Sequence, residues 1–321
     1  MTRSLVFRRL AGNRSIVFAY FGALVLFAAT SAFSTGFASA NHIRILLIEA
    51  SFIGIVALGQ TFVILGGGID LSIPWTLNGA AILMTLFANG KNGPLIWAIP
   101  LVLAMGALVG VTNGVGIAFL GVSPIIMTLG MNVILSGALL LYTNGAPTAG
   151  APPAIQSLAT GRVGPIPADT VLWLALVAIA TMVLTWTAFG RHLYALGTNR
   201  TVAQFSGVAT SRVTVITYVI SGTSAALAGI VLTGYVGQAY LGMGDPYLFS
   251  SVAAVAIGGA SILGGSGHYL GTVAGALILT VLAGLLPILN LNPAALQIIY
   301  GVVILVTVAA ATIPNREAVT R

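Results

Sequence analysis

Long continuous apolar runs, separated by short polar stretches, organise the whole chain. A bilayer core of roughly 30 Å takes about 20 apolar residues in a helix, and that ruler marks about ten segments. They cover 15–34, 45–66, 73–89, 95–120, 124–142, 171–188, 213–234, 247–264, 269–287 and 294–313. The runs do not alternate polar with apolar, as the strands of a closed barrel would. The pattern therefore predicts an all-α polytopic membrane protein, a single transmembrane domain over 1–321.

Basic residues set the expected orientation. With the N-terminus inside and ten spans, the inner segments hold Arg3, Arg8, Arg9, Arg14, Arg191, Arg200, Arg212, Arg316 and Arg321. The outer segments hold Arg44, Lys91 and Arg162. An excess of Lys and Arg inside is what membrane topology requires. Residues 1–14 and 314–321 are then cytoplasmic tails, 143–170 an outer loop rich in Ala, Pro and Gly, and 189–212 a folded inner loop. The outer loop is either a floppy surface connection or a docking surface or plug. The basic start followed by 15–33 has the look of a signal peptide, but its apolar run is longer than such peptides carry, so it is expected to remain as the first helix.

Composition supports the same class. Hydrophobic residues make up 58% of the chain and charged ones 5%, too few to coat a water-facing surface. The net charge of +7 resides in short loops and is not a nucleic-acid signal. There are no cysteines, which excludes disulfides, thiol catalysis and Cys-ligated metals. The forty glycines suit close helix packing, as on the ridges Ala225, Gly229, Thr233 and Gly271, Gly275, Leu279.

Polar residues inside or beside the spans are the candidate functional groups. Gly66-Gly67-Gly68 ends one helix, and Asp70 or Ser72 can cap the next, with Pro74 in its first turn. Asp70 is expected at the loop, since a carboxylate is costly within lipid. The glycines also make this break a candidate hinge. Gln60, Asn78, Asn113, Asn132, Ser136 and Tyr142 lie within apolar runs. They serve either as interhelical hydrogen-bond partners, the default, or as the lining of a hydrophilic path. Glu49, Asp70 and Asp245 are expected near span ends, which weighs against a proton-relay or ion-coupled mechanism.

An internal repeat is faintly visible. Gly67-Gly68-Ile69-Asp70 precedes the third span, and Gly242-Met243-Gly244-Asp245-Pro246 precedes the eighth. Ser123-Pro124 opens the fifth, and Asn292-Pro293 the tenth. An offset of five helices inverts the second copy, predicting an inverted repeat of helices 2–5 and 7–10, a common transporter plan.

Catalysis finds no support. Gly264-Gly265-Ser266-Gly267 matches the GxSG of rhomboid-type intramembrane proteases, but a serine nucleophile needs a base within hydrogen-bond reach, and no histidine follows His268, which is two residues from Ser266 and not on a separate helix. The only lysine, Lys91, is followed by Asn92, so no phosphate-binding Gly-Lys-Ser/Thr loop exists. If transport is ATP-driven, another polypeptide is the motor.

Several motifs occur in a fixed order: Gly59-Gln60-Thr61, Gly67-Gly68-Ile69-Asp70-Leu71-Ser72, Tyr142-Thr143-Asn144-Gly145, Gly190-Arg191 through Tyr194-Ala195-Leu196-Gly197-Thr198-Asn199, Ser206-Gly207, and Gly258-Gly259 with Gly264-Gly265. From about Asn41 to Ile313 the chain thereby resembles the permease subunits of ribose-type bacterial ABC importers. That branch includes sugar, autoinducer-2 and, more distantly, branched-chain amino-acid permeases. The resemblance implies a type II-like permease in the bacterial inner membrane. It would work with a second permease, cytoplasmic ABC ATPases that bind ATP and Mg, and a periplasmic substrate-binding protein. No metal, cofactor or catalytic residue is expected in this chain itself.

The resemblance also implies that 190–207 couples to the ATPase, through Arg191, Tyr194, Gly197, Asn199, Val202, Phe205, Ser206 and Gly207. A short amphipathic helix over 201–206 would place Val202 and Phe205 on one side, fit for a groove. Three positions depart from relatives: Arg200-Thr201 where an acidic residue is common, Ile73-Pro74 where Val-Gly is common, and His268 where Arg or Lys is frequent. The expected cargo is a small hydrophilic solute, foremost a monosaccharide. The alternatives are an autoinducer-2-like solute or amino acid, or an ion-coupled secondary transporter.

Overall fold

The computed structural model describes residues 2–34, 36–147, 149–292 and 294–312. The expected cytoplasmic tail at 314–321 lies outside the described residues. The described part is a helical bundle. Its helices, in chain order, are α1 (Thr2–Phe33), α2 (Ala40–Leu65), α3 (Ile73–Ala88), α4 (Leu95–Ala118), α5 (Pro124–Thr143), α6 (Pro153–Thr160), α7 (Ala168–Trp186), α8 (Ala188–Thr198), α9 (Arg200–Phe205), α10 (Thr210–Val236), α11 (Tyr247–Ile257), α12 (Tyr269–Ile288) and α13 (Ala294–Thr312). Seven are long and apolar enough to cross a membrane: α1 from Ser15 onward, α2, α4, α5, α7, α10 and α12. Three shorter apolar helices, α3, α11 and α13, accompany them.

Two helices form the centre. α10 packs against α4, α3 and α2, and α2 against α12 and α11. Small residues make this possible. A β-carbon on Gly222 would collide with the Gly106 carbonyl, and one on Gly110 with that of Tyr218, so α4 and α10 touch backbone to backbone. Gly229 lies on the Leu77 carbonyl of α3, and Gly275 on that of Ala254 in α11, so both small-residue ridges face neighbouring helices. A deeper polar tie joins three elements: Trp173 Nε1 donates to Tyr269 Oη at 3.0 Å, and Tyr269 Oη donates to the Gly54 carbonyl at 2.7 Å.

Side chains close several helix starts. Ser39 accepts from the His42 N–H, Thr187 from Gly190, Asn199 from Val202 and His268 Nδ1 from Leu270. These bonds satisfy N–H groups that have no partner within the helix.

The connection at 143–170 carries more structure than its composition indicates. α6 buries Ile155 and Ala159 against the bundle. A small antiparallel hairpin follows, β1 (Arg162–Val163) pairing with β2 (Ile166–Pro167). Prolines placed at the start of α6 and at the end of the hairpin stiffen the connection. The loop at 189–212 likewise folds into two helices, α8 and α9, which meet at Asn199.

One of the expected spans is much shorter than read, while the third, expected over 73–89, is found at Ile73–Ala88. The eighth, expected over 247–264, is α11, which stops at Ile257. Gly258 and Gly259 end it, and turns occupy 258–267. α3 has 16 residues, and α11 has 11. At about 1.5 Å per residue, α11 covers little more than half of a roughly 30 Å hydrocarbon core.

Candidate functional site

α10 serves as a ruler along the bundle. Its Gly234 end meets Ile155 of α6, and its Thr210 end adjoins α8 and α9. Between them, Gly229 is level with Leu77, and Ser221 with Gly59 and Asp70. Ser221 lies eleven residues from Thr210 and fifteen from Val236, near the middle of the helix.

Asp70 is therefore not at a span end. It sits at mid-bundle, 2% exposed, where the stretch 66–72 re-enters the protein after α2 has ended. It does not cap α3 either. Ser72 occupies the capping position without a side-chain cap bond, and Pro74 stands in the first turn. Asp70 Oδ1 instead accepts from the Ser72 N–H at 2.9 Å and the Ser72 hydroxyl at 2.6 Å, and Oδ2 accepts from the Ser221 hydroxyl at 2.7 Å. Asn113 Nδ2 donates to Ser72 Oγ at 2.9 Å, and the Leu71 N–H donates to Thr128 Oγ1 at 2.9 Å. Among the described residues no cation lies against the carboxyl group; its hydrogen bonds come from α10 and from its own segment.

A second interruption faces the first. After α10 ends at Gly237, the stretch 238–246 turns back into the bundle, and α11 starts at Tyr247. Gly244 packs on the carbonyl of Pro74 at the start of α3. Oriented to satisfy both amide atoms, Asn78 donates to the Tyr240 carbonyl at 3.0 Å and accepts from the Gly242 N–H at 2.6 Å. α3 and α11 thus start beside each other and run to opposite ends of the bundle. Asp245, at this junction, is exposed, and α11 has no side-chain cap. An exposed carboxylate halfway along an apolar bundle must face water or a partner rather than lipid.

The α8–α9 elbow is joined to the first interruption and to the turns that follow α11. A β-carbon on Gly197 would collide with the Leu65 carbonyl and lie 2.5 Å from the Gly265 nitrogen. Leu65 O accepts the Gly265 N–H at 3.0 Å, and Gly264 packs against Gly67 and the Gly197 carbonyl. Tyr194 Oη donates to the Gly267 carbonyl at 2.8 Å. Burial pushes the Tyr194 phenol up to about 12, so it stays protonated as a donor. Three glycine-bearing stretches thus close into one clasp. It links the end of α2, the elbow and the turns after α11. Beside it a cavity of about 640 Å³ is lined by Gly66–Gly68, Tyr218, the α4–α5 turn and Leu196–Arg200.

The expected coupling residues divide into two groups. Arg191, Val202, Phe205, Ser206 and Gly207 are exposed, Phe205 at 89%. Tyr194 and Gly197 face inward and belong to the clasp, while Asn199 caps α9 with its Oδ1 on the Val202 N–H at 3.0 Å. The path candidates divide as well. Asn78 and Asn113 tie the interruptions together. Gln60 is fully buried in α2 with neither amide atom hydrogen-bonded, Asn132 is half-buried with Oδ1 unpaired, and Tyr142 is 63% exposed on α5. Sequence reasoning passed over Ser221, Tyr218 and Thr128, because hydroxyls in apolar helices are common and usually bond to their own helix's carbonyls. The one available signal is that Tyr218 and Ser221 stand three apart on one helix face.

A polytopic helical membrane protein with two membrane helices interrupted at mid-bundle, and an apolar-tipped elbow at one end, is the architecture of a transport permease. Residues 42–308 match the family described as the permease component of branched-chain amino acid transport systems, and the chain belongs to that family. The ribose import permease of Haemophilus influenzae is 35% identical, over 89% of this chain and 90% of its own. That of Escherichia coli K12 is 34% identical over the same shares. An autoinducer 2 import system permease of Photorhabdus laumondii is 35% identical over 74% of each chain. No solved structure matches the chain.

Proposed function

We propose that this chain is the membrane subunit of a bacterial inner-membrane ABC importer and moves a monosaccharide by alternating access. ATP is hydrolysed, with Mg, by separate cytoplasmic ATPase subunits. A periplasmic binding protein delivers the solute, and a second permease completes the path. The observation that carries this reading is the elbow: it exposes Arg191, Val202 and Phe205 for a partner, yet is clasped through Gly197 to the end of α2, where the first interruption begins, and to the turns after α11. A push on α8 and α9 therefore reaches Asp70 and the start of α3 through few intermediaries. Only a motor that binds two states unequally moves such an equilibrium.

Ten crossings fit this plan, with α3 and α11 in equivalent places of an inverted repeat of α2–α5 and α10–α13. The basic elbow is assigned to the cytoplasmic face by the excess of arginine there. Asp245 is assigned to the solute path, where its carboxylate would accept from sugar hydroxyls. Two relatives that import ribose support a pentose as first solute; the autoinducer 2 permease and the family's description keep other small solutes as competitors.

The test is reconstitution with the ATPase and binding protein encoded alongside. ATP-dependent uptake of labelled D-ribose is expected, resistant to an uncoupler and at least tenfold lower in Asp245→Asn. Uptake that survives without the ATPase, or is competed by leucine and not by ribose, overturns the assignment.

A further inference from the structure

Tyr218 on α10 is 3% exposed, and its hydroxyl is buried without a hydrogen-bond partner. A buried unpaired hydroxyl is a burden that phenylalanine would not carry. Its neighbours on one side, Val63 and Ile117, are apolar. On the other side is the interrupted stretch: a β-carbon on Gly68 would lie 2.5 Å from Tyr218 Oη.

The stretch 66–72 lies along one face of α10. Gly68 is opposite Tyr218, and Asp70 is opposite Ser221, three residues further on and on the same face. Three residues of helix correspond to about 4.5 Å. A shift of that size toward the elbow would carry the carboxylate from Ser221 to Tyr218. The stretch is built to be pulled that way: its Leu65 end is held by Gly197 and Gly265, and Gly67, at φ 81°, supplies a backbone that can re-form.

We propose that Tyr218 is the second berth of Asp70. In the alternate state of the cycle, the Tyr218 O–H donates to the Asp70 carboxylate, and the Ser221 hydroxyl is released. No proton changes hands; one donor replaces another, so the carboxylate is never left bare in the apolar interior during the stroke. Tyr218 is then a positioning residue that acts through Asp70. This deepens the importer reading and rests on it.

The experiment uses the assembled transporter in vesicles, comparing wild type with Tyr218→Phe. Because the hydroxyl is unpaired here, Tyr218→Phe should melt at or above the wild-type temperature. Uptake of labelled D-ribose should fall at least tenfold while ATP hydrolysis stays within twofold. A merely structural tyrosine would move neither uptake nor its ratio to hydrolysis, and wild-type uptake in the variant overturns the proposal. Ser221→Ala removes the first berth and gives a solute-free arm. It should raise hydrolysis without binding protein at least threefold, and unchanged hydrolysis overturns the proposal if Tyr218→Phe fails to reach the membrane. Wild-type vesicles that take up no ribose count against the solute assignment alone, since the hydrolysis arm still decides the berth.

Discussion

Asp70 Oδ2 and Ser221 Oγ lie 2.7 Å apart, joined across 151 residues of sequence. The contact fixes a helix-free stretch to the middle of the longest continuous apolar helix that packs against it. A hydrogen bond to a charged, buried group contributes about 1.5–3 kcal/mol. Ser221→Ala is therefore expected to lower stability by about 2 kcal/mol, read as a lower melting temperature in detergent, whereas Ser136→Ala, on a hydroxyl bonded only to its own helix, should change it little.

Gly197→Ala tests the clasp. The added methyl has no room against the Leu65 carbonyl, which is backbone and cannot rotate aside. The variant should reach the membrane but lose at least tenfold in solute-stimulated ATP hydrolysis. Gly130→Ala on α5, with nothing within 4 Å of the new carbon, should behave as wild type in the same assay.

Phe205→Ala and Val202→Asp probe the exposed tip of the elbow. Both side chains stand free of the bundle, so the melting temperature should hold within about 1 °C. Co-purification with the ATPase should fall at least tenfold, as for a hydrophobic anchor removed from a groove. Retained assembly would move the docking surface elsewhere.

Asn78→Leu should weaken the junction of the two interruptions. It would leave the Tyr240 carbonyl and the Gly242 N–H without their partner, at about 1 kcal/mol for each lost hydrogen bond. Thermal melting checks this, and accelerated amide exchange should be confined to 238–246 and the start of α3.

His268 gives the stability a pH dependence. Its imidazole caps α12 by accepting the Leu270 N–H at Nδ1, and burial lowers its pKa from the ordinary histidine value. The unfolded chain then binds the proton more readily than the folded one. The cap's contribution is complete above the unfolded histidine value of about 6.5 and is lost as pH falls through it toward the folded value. Melting temperature should drop between pH 7 and 5 in wild type, and drop less in His268→Asn, which caps without titrating.

Much of this protein is legible in one dimension. Runs of about 20 apolar residues can satisfy their backbone in lipid only as helices, so the class and most helix positions follow from composition and length. Arg191, Arg200 and Arg212 mark the elbow because charge is scarce elsewhere. Glycine and proline mark each break, since few other residues tolerate those backbones. The depth at which a break sits is another matter. Gly67-Gly68-Ile69-Asp70 reads equally well as an inner-face turn or a mid-bundle interruption, because the flanking runs have the same hydropathy in both cases. The choice falls to partners that are distant in sequence: Ser221 for Asp70, Asn113 for Ser72, and the Tyr240–Gly242 backbone for Asn78. A carboxylate can lie in the apolar middle only where another helix brings it donors, and that meeting of segments exists only once the chain has packed.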